Sequence, residues 1–316
     1  LYCRIRESGK PLDDLLYPIL EQAIRELPVP RPMRWADHEF HFVRPVHWLI
    51  ALHGERVVPG ALFGLTAGNT TRGHRIHAPG PHRVPAADQY LDVLEEARVL
   101  ADQARREGRI RDALNAADAE VLIDPDLLRE VTNLVEWPVA VPCRFEQAFL
   151  EVPHAALIAA MQDHQKFFPV RDSSDRERVT NRFIAVANLE SRDVESVRAG
   201  YERVIRPRLA DARFFLEQDL KMPLDTLLPA LDRVVFQKKI GTVGDKTRRI
   251  ASISKMIAED LNLDPATCAR AAQLAKCDLL SQMVGEFPEL QGIMGRHYAV
   301  SSGEPEAVAT AIGEHY

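Results

Sequence analysis

The period of the hydrophobic pattern changes near residue 200, and this change constrains the fold more than any other feature. Before that point strand-like and helix-like stretches alternate, for example the strand-like residues 166–170 and 183–187. After it, residues 206–220, 224–235, 245–261 and 265–284 all have helical spacing. This succession predicts the α+β class: an α+β domain in residues 1–203, followed by an all-helical domain in residues 204–316.

Within the first part, local patterns indicate individual elements. Apolar residues recur at helical spacing from Leu12 to Leu27, and Pro28 then ends this predicted helix. Two β-rich runs meet at His53-Gly54, which predicts a hairpin. Residues 86–119 are predicted to form a long polar helix or a helix pair on the surface, and residues 127–135 and 155–162 two shorter helices.

Composition excludes several classes of protein. The 316 residues are 46% hydrophobic and 27% charged, and no apolar run approaches the ~18 residues of a membrane span. Four cysteines without a C-x-x-C pair favour a reducing compartment, so we expect a cytoplasmic protein without membrane attachment. The sequence begins with Leu1 and stops at Tyr316 inside a helical pattern, so we expect part of a longer chain.

The net charge of −6 hides an uneven distribution. Residues 31–83 carry 7 basic and 3 acidic groups, and residues 206–249 carry 10 and 6, whereas residues 84–160 carry 7 and 15. Two positive blocks therefore lie among negative ones. They indicate either a surface that attracts a polyanion or ordinary solvated faces.

The second positive block contains the sharpest basic clusters. Pro207 is acceptable at the first position of a helix, which predicts that Arg206 lies at a helix entrance where backbone N–H groups favour anions. Arg208 lies three residues before Asp211 and is able to pair with it instead. A Gly-containing turn before the helix near Asp245 carries the remaining candidates. The predicted phosphate contacts in this block are Arg206, Arg208, Lys238, Lys239, Lys246 and Arg248.

The first part of the chain offers weaker candidates. Arg72, His74 and Arg75 lie in a loop in which Gly73 permits backbone N–H groups to approach an anion; pairing of the arginines with the protein's own carboxylates is the alternative. Lys166 precedes Phe167-Phe168, where one ring is free to stack on a base or both are buried.

We find no sequence signature of an active site. The chain has no P-loop, H-E-x-x-H, G-x-S-x-G or G-x-G-x-x-G motif. A metal phosphohydrolase needs a His-Asp pair with further ligands, but Cys277-Asp278 stands where the pair is needed and the preceding helices contain no histidine. We therefore expect no metal site and no catalytic residue.

Several long strings carry a resemblance. They are MRWADHEFHFVRPVHWLIAL, NTTRGHRIHAP, LVEWPVAVPCRFEQAFLEVP, QDHQKFFPV, VIRPRLADARFF, FQKKIGTVGDKTRRI and AKCDLLSQMVGEFPELQGIMGRHYA. Together they resemble the beta subunit of bacterial heterotetrameric glycyl-tRNA synthetases, in order and over essentially the whole chain. The likeness is weakest near residues 86–125.

The resemblance implies a fold, partners and a division of labour. It implies a first domain similar to the editing-type domain of phenylalanyl-tRNA synthetase beta chains, and a truncated helical domain similar to His-Asp (HD) phosphohydrolases without their metal ligands. It implies that the alpha subunit uses ATP and Mg²⁺ to attach glycine, while the beta subunit binds the acceptor arm of tRNA-Gly and supports an alpha-two beta-two assembly. On this basis the chain binds no cofactor and lacks an N-terminal segment and an anticodon-binding domain. The alternatives are a purely structural clamp for the alpha dimer and an active HD-type phosphohydrolase.

Overall fold

The computed structural model describes residues 9–175 and 178–316. The chain forms two compact units, each assembled from several segments. Of the described residues, unit 1 comprises 9–110, 132–139 and 187–190, and unit 2 comprises 111–131, 140–175, 178–186 and 191–316. The predicted domain boundary at 203/204 lies inside a continuous helix, Val194–Asp219. The division into family domains at that position stays a prediction.

Helices and small sheets are both present, which is compatible with the predicted α+β class. The α-helices are α1 (Leu12–Arg25), α2 (Tyr90–Glu96), α3 (Gln103–Asn115), α4 (Pro125–Leu134), α5 (His154–Ala159), α6 (Val194–Asp219), α7 (Val243–Asp260), α8 (Pro265–Leu274), α9 (Gln282–Glu286), α10 (Ile293–Ser301) and α11 (Glu306–Glu314). A π-helix spans Ala160–His164, and 3₁₀ segments span Ala87–Gln89, Gln147–Glu151, Leu224–Arg233, Cys277–Leu280 and Pro288–Leu290.

The strands are short. They are β1 (Met33–Arg34), β2 (His41–Phe42), β3 (Leu49–Ile50), β4 (Leu52–His53), β5 (Arg56–Val57), β6 (Ala61–Leu62), β7 (Leu65–Gly68), β8 (Thr70–Arg72), β9 (Pro81–Arg83), β10 (Val139–Arg144), β11 (Phe168–Arg171), β12 (Val179–Ala187), β13 (Val235–Gln237) and β14 (Gly241–Thr242).

In unit 1, helix α1 packs on the small sheets through Tyr17 and Leu16, whereas Ile19 of its apolar stripe is 58% exposed. Tyr17 lies in a core cluster with Ala51 and Val58, and its hydroxyl donates to the Val58 carbonyl oxygen at 2.7 Å. Gly60 is required beside this ring, because a Cβ there would lie 2.0 Å from Tyr17 Cε2. The hairpin predicted around His53-Gly54 is confirmed: β4 and β5 pair antiparallel, with His53 opposite Arg56.

Unit 2 contains a three-stranded sheet with strand order β10-β12-β11. Strands β11 and β12 pair antiparallel, and Phe168 lies opposite Ile184. Phe167 and Phe168 are 4% and 0% exposed, and the Phe167 ring stacks on Phe183 at 4.9 Å. Burial of both rings, one of the two interpretations of this motif, is therefore confirmed.

The remainder of unit 2 is helical with one exception. Helix α7 packs on α8, and α10 packs on α11, around buried side chains such as Leu274, Met294 and Ile312. The prediction that only helices follow residue 200 is wrong at Val235–Thr242. There β13 and β14 form an antiparallel hairpin, because Gly241 adopts a φ of +105° that reverses the chain in a few residues. No helix in the described part of the chain is long and apolar enough to cross a membrane.

Candidate nucleic-acid interface

Helix α6 carries the first basic cluster, and it begins earlier than the sequence suggested. Its N-cap is Asp193, whose carboxylate accepts from the Ser196 N–H at 3.0 Å. Pro207 therefore lies inside the helix, and the prediction that Arg206 stands at a helix entrance is wrong. The interior proline leaves one turn without its backbone donor, while Ile205 and Leu209 beside it are fully buried. Their burial offsets the cost of the proline.

The two candidate arginines of α6, Arg206 and Arg208, are exposed, but carboxylates already hold them. Arg206 Nε lies 2.5 Å from Glu146 Oε1, and Arg208 Nη1 lies 3.1 Å from Glu286 Oε1. The side chains of Arg206 and Arg208 are 53% and 41% exposed. Ion pairs this exposed contribute at most about 1 kcal/mol. A phosphate group that displaced either carboxylate would therefore meet little resistance.

The hairpin β13–β14 carries the second cluster. Lys238 and Lys239 occupy its turn with exposed side chains, and the Lys239 N–H donates to Gln237 Oε1 at 3.2 Å. Within residues 9–175 and 178–316, no carboxylate lies within salt-bridge distance of either ammonium group. These two charges are therefore available to an anion without breaking a pair.

The entrance of helix α7 has a capping box. Thr242 Oγ1 accepts from the Asp245 N–H at 3.0 Å, and Asp245 Oδ2 accepts from the Thr242 N–H at 2.9 Å. Arg248 reaches Asp245 at 2.7 Å and Asp232 at 2.8 Å. The hydrogen bonds from the Thr242 backbone and from Arg248 lower the pKa of Asp245 to about 2. Arg248 is therefore the most neutralised of the six predicted contacts in this block.

Lys246 lies in the first turn of α7, beside an aromatic ring. Its ammonium nitrogen is 4.3 Å from the centre of the Phe236 ring, a cation–π contact. Phe236 is 46% exposed, and its neighbours Val235 and Ile240 are 68% and 52% exposed. Phe236 was not identified as a candidate from the sequence, although an aromatic residue next to Gln237-Lys238-Lys239 is typical of nucleic-acid contacts.

In the loop after β8, the side chain of His74 holds the backbone in place, and the loop backbone does not form an anion cradle. His74 is 4% exposed, its Nε2 lies 2.7 Å from the Asn188 carbonyl oxygen, and its Nδ1 accepts from the N–H groups of Ile76 and His77 at 3.2 Å. These partners occupy both ring nitrogens, so His74 fixes the loop. Arg72 and Arg75 remain exposed.

Gly73 serves packing in this loop, contrary to the predicted role as an anion cradle. A Cβ at Gly73 would lie 2.5 Å from Ala97 Cβ and 2.8 Å from its carbonyl oxygen. The next backbone N–H, that of His74, already donates to the Ala97 carbonyl oxygen at 2.8 Å. The glycine therefore allows two chain segments of unit 1 to approach each other.

Lys166 lies where the π-helix ends. It adopts a left-handed backbone with φ +59°, and its ammonium nitrogen is 2.9 Å from Glu130 Oε2. Its side chain is 33% exposed. The strained backbone sends the chain from the helix into the buried strand β11.

Cys277 and Asp278 are fully buried. Asp278 Oδ2 accepts from the N–H groups of Gly292 and Gly295 at 2.6 and 3.2 Å, while Oδ1 has no partner in the described structure. Burial raises the pKa of Asp278, and it raises the pKa of the Cys277 thiol to about 12. Asp278 thus caps helix α10. In the described ranges, no three His, Cys, Asp or Glu side chains are grouped to hold a metal ion.

Comparisons with known proteins identify the family of this chain. A family model described as "Glycyl-tRNA synthetase beta subunit" matches residues 1–316, so the chain belongs to that family. Glycine–tRNA ligase beta subunits from Chromohalobacter salexigens and Marinobacter nauticus are 51% and 49% identical to it over 99% and 100% of the chain. The corresponding protein of Xanthomonas campestris strain B100 is 49% identical over 96%.

The family resemblance drawn from the sequence is confirmed. The chain spans about half the length of these relatives, with 46%, 46% and 44% of their residues covered, in the order Chromohalobacter, Marinobacter and Xanthomonas.

Proposed function

We propose that this chain is a tRNA-binding part of a glycine–tRNA ligase and carries no catalytic residue itself. The observation that carries the proposal is the pair of exposed, unpaired lysines Lys238 and Lys239, within a segment of 10 basic and 6 acidic residues. Ammonium groups on an exposed turn contact phosphates without regard to base sequence. The relatives are beta subunits of a tRNA ligase, which supplies the polyanion.

The candidate contacts fall into three groups. Lys238, Lys239 and Lys246 form the first, because carboxylates do not neutralise them. Arg206, Arg208 and Arg248 form the second, in which a phosphate replaces a carboxylate partner. Exposed Arg72 and Arg75 and the half-buried Lys166 form the third, and buried His74 is no longer proposed as a contact.

The proposal includes the division of labour that the family implies. The alpha subunit uses ATP and Mg²⁺ to activate glycine and transfers it to tRNA-Gly, and this chain binds no cofactor. The assembly is alpha-two beta-two, it works in the cytoplasm, and this part of the beta subunit contacts the acceptor arm. We propose an editing-like domain in residues 1–203 and an HD-like domain without metal ligands in residues 204–316. Capping of α10 by Asp278 is the observation that supports a structural role for the altered metal position.

Salt-dependent binding tests the tRNA contact. We expect the logarithm of the association constant for tRNA-Gly, measured by fluorescence anisotropy, to fall linearly with the logarithm of the salt concentration. Lys238→Gln and Lys239→Gln should each reduce the slope by about 1 or slightly less, equally for other tRNAs. Lys255→Gln, at an exposed lysine on α7, is the matched control and should leave the slope unchanged. A slope near zero for the parent chain would refute the proposal.

A scaffolding role is the second candidate function, and helix α7 favours it. Ile253, Met256 and Ile257 lie at i, i+3 and i+4 on this helix and are 56%, 62% and 52% exposed, and Leu261 just beyond its end is 62% exposed. Such a stripe suits an apolar surface of the alpha subunit. Ile257→Asp should weaken association with the alpha subunit in sedimentation experiments and leave tRNA affinity unchanged. Unchanged association would exclude this stripe from the interface.

A further inference from the structure

The hairpin β13–β14 carries a partly exposed aromatic ring, that of Phe236. Val235 pairs with Thr242 and Gln237 pairs with Gly241, so the register shifts at Phe236, which has no paired residue opposite it. Phe236 is 46% exposed, and the Ile240 side chain in the same turn is 52% exposed. The apolar side chains of this two-stranded hairpin are therefore only partly covered by the rest of the described structure.

The charge around the ring indicates which kind of partner fits. Residues 235–249 contain five basic groups and one acidic group, Asp245. The Asp245 carboxylate is held by Thr242 and Arg248, so it does not offset the lysines of the turn. The Lys246 ammonium lies 4.3 Å from the ring centre, and Arg249 Nη1 donates to the Ile240 carbonyl oxygen at 3.4 Å. An apolar protein surface gains nothing from this excess of positive charge, whereas a polyanion with flat apolar groups matches it.

We propose that Phe236 is a stacking platform for an unpaired nucleotide of RNA, with Lys238, Lys239 and Lys246 contacting the flanking phosphates. The inference rests on the proposed tRNA-binding function and adds a base contact to it. Aromatic side chains in a positively charged setting bind single-stranded nucleotides in this way, and stacking tolerates any base because every base has a π-face. The hairpin therefore recognises an unpaired nucleotide rather than a sequence.

Stacking and phosphate contact differ in their salt dependence, and this difference provides the test. We expect Phe236→Leu to weaken binding of tRNA-Gly by about 5- to 100-fold at every salt concentration, without changing the salt slope. Phe236→Trp, which keeps a stacking surface, should bind like the parent chain. Tyr90→Leu, at an aromatic residue of α2 that is 37% exposed, is the matched control and should have no effect. A blunt RNA duplex without unpaired nucleotides should bind the parent and Phe236→Leu equally.

The possible failures are distinguishable. If the parent binds tRNA with a clear salt slope and Phe236→Leu binds equally well, stacking is overturned and the tRNA-binding function stands. Equal losses in Phe236→Leu and Phe236→Trp also overturn stacking, since tryptophan retains the platform. If the parent shows no salt-dependent binding, both proposals fail. Circular dichroism melting of each variant verifies that the hairpin substitutions leave the fold intact.

Discussion

Replacing Asp278 with alanine is expected to lower the free energy of unfolding by about 2–4 kcal/mol, because two buried N–H groups lose their acceptor. Asp278 Oδ2 accepts from Gly292 and Gly295 at 2.6 and 3.2 Å, at the beginning of helix α10. Asp278 itself is 0% exposed, so water does not replace the lost bonds without local opening. The carboxylate also faces the positive end of the helix dipole, which adds to the loss.

The magnitude is the balance of opposing terms. Each orphaned buried N–H group costs about 1–3 kcal/mol. Against this, Oδ1 of Asp278 is buried without a partner, so its removal relieves some desolvation. At about 2–4 °C per kcal/mol for a domain of this size, the loss corresponds to a fall in Tm of about 4–16 °C.

The Asp278→Asn variant separates hydrogen bonding from charge. Asparagine keeps an acceptor oxygen for both N–H groups, so its loss should be much smaller than that of alanine. Burial raises the folded-state pKa of Asp278 above its unfolded value. Such a carboxyl group contributes stability that is present below the unfolded pKa and lost as pH rises through the folded one. The stability of the parent relative to Asp278→Asn should therefore fall as pH rises from acid to neutral.

Urea unfolding and thermal melting, both followed by circular dichroism at several pH values, measure the free energy of unfolding and the Tm of the parent and of the two variants. A Tm of Asp278→Ala within about 1 °C of the parent would refute the capping argument. Equal losses in the alanine and asparagine variants would show instead that side-chain packing, rather than hydrogen bonding, is responsible. A pH-independent difference between parent and Asp278→Asn would contradict the raised pKa.

Three other stability predictions concern glycine packing at Gly73, helix capping by Thr242 and the titration of Asp245. Gly73→Ala should lose about 1–3 kcal/mol in urea unfolding, because its Cβ would lie 2.5 Å from Ala97 Cβ. Gly108→Ala, in open space within α3, should gain about 0.5–1 kcal/mol, and equal effects at both sites would refute the packing argument. Thr242→Ala should lose about 1 kcal/mol through its cap on α7, measured as a lower Tm. Because the pKa of Asp245 is lowered from 3.8 to about 2, its contribution is present above pH 3.8 and lost as pH falls through about 2; an acid transition that Asp245→Asn leaves unchanged would contradict this.

Local periodicity predicted the elements whose stabilising contacts are close in sequence. Helix α1 and the turn at His53-Gly54 are confirmed because an apolar stripe and a glycine with φ +59° determine them locally. The hairpin Val235–Thr242 was missed because its strands of three and two residues are too short to show a period. Pro207 led to a wrong helix start because proline is favoured in the first turn of a helix, and the prediction took that as the position of Pro207. That preference does not reveal that burial of Ile205 and Leu209 offsets the free-energy cost of a proline inside the helix.

The candidate site was less predictable, because its properties depend on residues distant in sequence. His74 is buried against Asn188, which lies 114 residues further along the chain. Arg206 is paired with Glu146 and Arg208 with Glu286, at separations of 60 and 78 residues. Residue type and local charge identify these side chains as candidates, but only tertiary structure determines which are buried, paired or free.

The salt slope of tRNA binding reports how many cationic side chains contact phosphates, so it distinguishes the unpaired lysines from the arginines that are paired with carboxylates. If only Lys238, Lys239 and Lys246 contact phosphates, a slope of about −2 to −3 follows, at roughly 0.7–0.9 per contact. If Arg206 and Arg208 also exchange their carboxylate partners for phosphates, the slope becomes steeper by about 1–2. Glu146→Gln and Glu286→Gln remove those carboxylates, so they should raise tRNA affinity only if the arginines reach the RNA. The two variants therefore show whether helix α6 belongs to the interface, independently of any loss of positive charge.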